Sequence, residues 1–251
     1  MDLDRDLVLF EEYVKDNYDI NNPLITMKYI HTLMVVRIMS MLCQKMKLNE
    51  EDTKLALYIA LFHDLGRFKE AIRQNEFNNL KFDHGAYSNK ILFNDGFIKK
   101  FDINKEDYLI IKKAIYFHNK KDIGCNLSES EEFFCKLIRD ADRIDIFRVL
   151  SFNKNLFEGV SSKELLETFY NNGSINIKDL KTRGDRVLLR FGFVKLFSFP
   201  ESFKVLDETR YFKKYVESIQ VNEDVKELFL ELVNEINYML KGEKDYVRKK
   251  V

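Results

Sequence analysis

Proline and glycine are scarce in this sequence, with 2 Pro and 9 Gly among 251 residues. Proline breaks helix interiors and glycine punctuates turns, so a chain poor in both favours long helices over a turn-rich β fold. The 22 Phe and 12 Tyr, within 45% hydrophobic residues overall, supply enough apolar surface for a large core and argue against disorder. The length suits one large domain, or a domain with a substantial extension.

The helix signals are frequent. Pro23, after Asn21-Asn22, opens an apolar-periodic segment through His31, Val35, Ile38 and Leu42. Asn49, with Asp52 three residues on, reads as a cap for a helix carrying Leu57, Ala60 and Leu61, and Gly66 is placed to end it. Asp83 is read as the cap of a short helix from His84 through Leu92, and Asn104 as the cap of one through Phe117. Ser128 or Ser130 would cap a helix from Glu131 to about Leu150. Beyond 150 the pattern loosens. A short helix is expected after Ser161, further helices over 179–197 and 209–220, and a last amphipathic one after Asn222, with Val225, Leu228, Phe229, Leu232, Val233 and Ile236 on one face. The Lys-Gly-Glu-Lys tail is expected to fray. Residues 187–194 also suit a strand, but no second run of similar character offers a partner, so helix is preferred. The expected architecture is therefore all-α: a helical core over 1–150 and a helical C-terminal extension over 151–251.

Several polar residues fall on apolar faces of these helices. His31 has Met34, Val35 and Ile38 at helical spacing; His63 has Ala56 and Ile59; Asp64 has Leu57 and Ala60; His118 has Ile111 and Ala114. A buried carboxylate must be paired, hydrogen-bonded or metal-bound, or it neutralises. Among Asp140, Asp142 and Asp145, periodicity selects Asp142 first, between Cys135, Ile138, Ile146 and Val149, and Asp145 second. Asp140, near Lys136 and Arg143, is expected to face solvent or a salt bridge. A lone histidine on an apolar face is more often a hydrogen-bonded core residue than a ligand. Three histidines and two aspartates on inward faces of successive helices would need several such coincidences. Imidazole with carboxylate suits zinc, manganese, iron or nickel, and the absence of cysteine ligands argues against a purely structural zinc site.

The order His31, His63-Asp64, Asp142 resembles the HD-domain superfamily of metal-dependent phosphohydrolases. Lys28-Tyr29-Ile30-His31 with the apolar residues after it is similar to that family's first-helix histidine segment. Leu61-Phe62-His63-Asp64-Leu65-Gly66 is similar to its central His-Asp motif, and Ala141-Asp142-Arg143-Ile144 to its terminal Asp segment. The resemblance covers roughly residues 20–150. It implies a helical domain with one or two divalent ions (Mn, Fe, Ni, Co, Zn or Mg) held between helices. His31, His63, Asp64 and Asp142 would bind the first ion. His84 and His118 stand where two-metal branches of the family place extra histidines, and Asp64 would then bridge. The Gly-Tyr-Pro signature of the cyclic-dinucleotide branch is missing, and no attached synthetase domain is seen, which disfavours both of those substrate classes.

The chemistry so implied is hydrolysis of a phosphate ester or anhydride of a small metabolite, a nucleotide foremost. A divalent metal lowers the pKa of bound water from about 15.7 toward about 7. Asp64 and Arg67 would be the catalytic pair, with Arg67 the first choice among cations for the phosphate. Arg73, Lys120, Lys121 and Arg143 are further candidates, each against the plainer reading of a solvated surface charge. Glu70 and Asp145 are read as partners that orient ligand histidines, although for Glu70 a surface carboxylate is the preferred reading. The stretch from Arg67 to Asp83, with Phe68, Phe77 and Phe82, is either a lid that stacks a base or a connector pinned to the core.

Two alternatives stand beside the hydrolase: a di-iron oxygenase of the same superfamily, and a non-catalytic nucleotide-binding regulatory module. Lys plus Arg and Asp plus Glu both number 41. That zero balance disfavours long nucleic acid and a polybasic membrane anchor, while leaving room for a local basic pocket. The longest clean apolar run, Leu55–Phe62, is too short to span a bilayer. Cys43, Cys125 and Cys135, odd in number and widely spaced, fit a reducing cytoplasm. The region after 150 completes the domain, walls off the pocket or forms a homodimer.

Overall fold

The computed structural model describes residues 3–74 and 82–242, and it is mostly helical. Chain contacts divide it into two compact units, Met1–Ala141 and Asp142–Val251. The division falls inside one continuous helix, some nine residues before the boundary at 150 read from the sequence.

The first unit is built from α1 (Leu3–Asn17), α2 (Pro23–Met46), α3 (Glu50–Phe62), α4 (Leu65–Gln74), α5 (His84–Asn89), α6 (Tyr108–Phe117) and the start of α7 (Glu129–Leu150). The capping logic holds at most starts. Asn22 accepts from Leu24 N–H ahead of Pro23, and Asn49 from Asp52 N–H. Asp83 accepts from Ala86 N–H. Ser128 accepts from Glu131 N–H while Glu131 accepts from Ser128 N–H, a reciprocal capping box that opens α7. Asn104 makes no such bond; it leads through a 3₁₀ turn into α6. Helix α5 continues as a π-helical turn over Lys90–Asn94. The core gathers Phe10, Val14, Phe62, Phe68, Ile111, Ile115 and Ile138, all essentially without exposed surface.

By length and composition α2 could cross a membrane, which the apolar-run argument did not foresee. It packs along α3 and buries His31 and Thr32 along with its apolar residues.

Gly66 does not end a helix. Helix α3 stops at Phe62, and α4 begins at Leu65 after only His63 and Asp64, with Gly66 inside it. Glycine is required here for closeness: a Cβ at Gly66 would stand 2.3 Å from the backbone oxygen of His84. A Cβ at Gly85 would stand 2.8 Å from the oxygen of Ile115. The two glycines thus let α5 lie backbone to backbone against α4 on one side and α6 on the other.

The stretch expected to be a lid or connector is helical to Gln74. Phe68 belongs to the core, its ring tilted against Phe10 and Tyr18, and Phe82 lies against Tyr87. Phe77 lies outside the described residues.

The second unit holds α8 (Lys163–Asn171), α9 (Arg183–Lys195), α10 (Pro200–Thr209), α11 (Tyr211–Glu217) and α12 (Lys226–Lys241). The helical reading of 187–194 is correct, since it falls within α9. One small parallel pair does form elsewhere, between β1 (Asn155–Phe157) and β2 (Ile219–Val221), with Leu156 opposite Gln220. The short helix expected after Ser161 is α8, capped by Ser162. Thr182 and Asp185 form a full capping box on α9. The unit packs around Phe147, Phe157, Phe191, Phe212 and Tyr215. The tail after Gly242 lies outside the described residues.

Candidate metal centre

Two helix ends deliver the central histidines. His63 follows the last residue of α3, and His118 follows the last residue of α6. Carbonyls in a helix's last turn lack an intrahelical donor. His63 Nδ1 lies 2.7 Å from the carbonyl of Ala60, and His118 Nδ1 lies 2.6 Å from that of Ile115. A carbonyl only accepts, so each Nδ1 carries the proton. In its neutral form each ring then presents the Nε2 lone pair, the form a metal needs.

Both Nε2 atoms face Asp64. This carboxylate sits between α3 and α4, at the N-terminus of α4, where a negative charge is favoured. Its Oδ2 lies 3.6 Å from His31 Nε2 and 3.5 Å from His63 Nε2. Its Oδ1 lies 3.4 Å from His118 Nε2 and 3.7 Å from His84 Nε2. The potential ligands form two groups. His31, His63 and Asp142 offer atoms within 4.8 Å of one another, and so do Asp64, His84 and His118. Asp142 is half-buried and the other five are buried.

Cations complete the cluster. Lys28 Nζ donates to Asp64 Oδ2 at 2.8 Å, and Arg67 Nε lies 3.6 Å from Oδ1. Burial works to raise the Asp64 pKa, but Lys28, His63, His118 and Arg67 together hold the carboxyl well below the usual range. Burial first, and then the charge of Arg67, pushes His84 far below an ordinary imidazole, so it stays neutral. Asp64 Oδ1, His84 Nε2 and Arg67 Nε are among the buried atoms that make no hydrogen bond to the described residues. Leaving such atoms unsatisfied is costly, and a divalent cation between Asp64 and His84 would satisfy two of them. The donor set fits a metal of the Zn, Mn, Fe, Co or Ni type.

The remaining sequence candidates separate. Glu70 is buried, against the preferred surface reading; it accepts from Arg67 Nη1 at 2.7 Å and lies 3.8 Å from His84 Nδ1. Asp145 is also buried, and both its oxygens accept from Arg148. Asp140, expected to face solvent or a salt bridge, is fully buried, which removes the solvent alternative. Its turn of α7 is enclosed on more sides than its Lys136 and Arg143 neighbours implied. Lys120 pairs with Asp83, and Arg143 donates to the Leu196 carbonyl at the end of α9. Lys121 gives its backbone carbonyl to Arg139. The side chain of Arg73 lies outside the described residues.

Two residues were missed. Lys28 stands one turn before His31 on the same face of α2, a spacing that points it at the same site. Ser88 accepts from Gly66 N–H at 2.8 Å and donates to the His63 carbonyl at 3.1 Å, tying α5 to the α3–α4 junction. It lies four residues after His84, one turn further along α5.

No curated protein and no solved structure shows significant similarity to the chain. The model of the HD domain matches residues 29–146, a span that contains all six potential metal ligands. Residues 29–146 of this chain are an HD domain.

Proposed function

We propose that the protein is a metal-dependent phosphohydrolase acting on a phosphate ester or anhydride of a small metabolite, with nucleotides the class to screen first. The observation that carries this reading is the pair of ligand groups fed by adjacent residues, with His63 in one and Asp64 in the other. His31, His63 and Asp142 would hold one ion, and Asp64, His84 and His118 a second. Ions held there would activate water and neutralise phosphoryl oxygens.

The protein's own part is positioning. The carbonyls of Ala60 and Ile115 fix the protons of His63 and His118 on Nδ1 and keep both Nε2 atoms directed at the site. Glu70 holds the Arg67 guanidinium. The buried Nε–H of Arg67, lacking an acceptor within the protein, is a ready donor to a phosphate oxygen. This cationic border is what favours phosphoryl chemistry over an oxygenase built on the same six ligands.

The test is phosphate release from a panel of nucleotides and sugar phosphates, with Mn, Co, Ni or Fe supplied. Oxygen uptake is measured in parallel on protein prepared anaerobically with iron. Activity surviving in a His63→Ala, Asp64→Ala double variant would refute the proposal. Oxygen consumption without phosphate release would transfer the site to the oxygenase class.

A further inference from the structure

Asp64 has a cation at each of its oxygens. Lys28 approaches Oδ2 from α2, and Arg67 approaches Oδ1 from α4. The side chains of Asp64 and His63 are 4% and 0% exposed, whereas Lys28 and Arg67 retain 15% and 16%. The two cations are therefore more open to solvent than the carboxylate they flank, one at each of its oxygens.

Charge balance asks why both are there. One cation offsets the charge of Asp64. With two divalent ions in place, the charge of the ions, Lys28 and Arg67 would exceed that of Asp64, Asp142 and Glu70, the carboxylates described at the site. Such an excess of positive charge in a mostly buried site is unfavourable unless an anion joins it. A lysine ammonium has three donors, so it can serve the carboxylate and a phosphate oxygen together.

We propose that Lys28 is a phosphate-binding residue that grips the substrate's phosphoryl group opposite Arg67, one oxygen to each cation. This rests on the phosphohydrolase reading but is tested apart from turnover. The experiment is calorimetric titration of the Mn²⁺-loaded full chain with inorganic phosphate, with manganese content measured for every sample. Lys28→Met is expected to weaken phosphate binding about ten-fold or more, since a charge-assisted hydrogen bond is lost. Its manganese content should equal that of the wild type. Lys28→Arg should stay within about three-fold of wild type, because the charge is kept. If Lys28→Met does not fold, Lys28→Gln, which keeps a donor to Asp64, takes its place.

Unchanged phosphate affinity in the neutral variant overturns the proposal, and so does a loss of affinity that merely tracks lost manganese. Wild-type protein that binds phosphate through Lys28 yet hydrolyses no ester would leave this assignment standing and remove the hydrolase reading. Wild-type protein that binds no phosphate removes both.

Discussion

Gly66 and His84 meet backbone to backbone: a Cβ on the glycine would lie 2.3 Å from the histidine's carbonyl oxygen. Gly66→Ala must therefore push α5 away from α4, and His84 goes with it. Overpacking of this kind costs about 1–3 kcal/mol. The expected outcome is lower stability in urea together with weakened metal binding at Asp64, His84 and His118. His31, His63 and Asp142 should hold their ion better, since α5 contributes nothing to that group. A Gly66→Ala protein with wild-type stability and full metal content would show that the close approach does not matter.

Elemental analysis should find two equivalents of metal per chain in protein loaded with Mn²⁺ or Fe²⁺. His84→Ala or His118→Ala should lower this to one, and Asp64→Ala should reduce both sites. A wild-type content of one equivalent, insensitive to His84 and His118, would make those two histidines ordinary core residues.

His84 is held neutral by burial and by Arg67, so its folded pKa lies below the ordinary value of about 6.5. Below that pH the unfolded chain takes up a proton that the folded chain refuses. Stability thus rises with pH up to about 6.5 and is lost on acidification beneath it, by at most about 1.4 kcal/mol per pH unit. Urea unfolding of chelator-treated protein between pH 7.5 and 5 should show this slope, and His84→Asn should flatten it. Equal slopes in the two proteins would contradict the assignment.

Asp185 is a structural counterpart in the second unit. Its carboxylate accepts the backbone N–H groups of Ser161, Lys181 and Thr182 at 2.8–2.9 Å. Burial opposes ionisation, but these three donors prevail and lower its pKa. The stabilisation is present above about pH 3.9 and disappears as pH falls through the lower folded value. Asp185→Asn should cost about 1–3 kcal/mol at pH 7, and the gap to wild type should narrow toward pH 2. A gap that is the same at both extremes would mean that charge is not what Asp185 contributes.

Much of this site was legible because helical periodicity and local capping are both properties of nearby residues. His31, His63, Asp64 and His118 were placed inward by spacing alone, and Asn49, Asp83 and Ser128 announced their helices through side chains that reach only two or three residues. What spacing could not supply was packing between segments distant in sequence. Gly66 reads locally as a helix end, and only the backbone of His84 explains why it sits within one. Glu70 reads as a surface carboxylate, and Asp140 as one facing solvent or a salt bridge, yet both are fully buried. Lys28 was overlooked because lysine is normally exposed, and its partner, Asp64, is thirty-six residues away.

One peptide bond joins His63 to Asp64, and each belongs to a different ligand group. Covalent geometry thus fixes the spacing of these two ligands, while helix packing brings the other four to them. Drift in the distant parts of the chain can reshape what reaches this centre. It can remove the outer ligands of one group and leave the other, but it cannot change the spacing of His63 and Asp64, so ions held on this pair would stay neighbours.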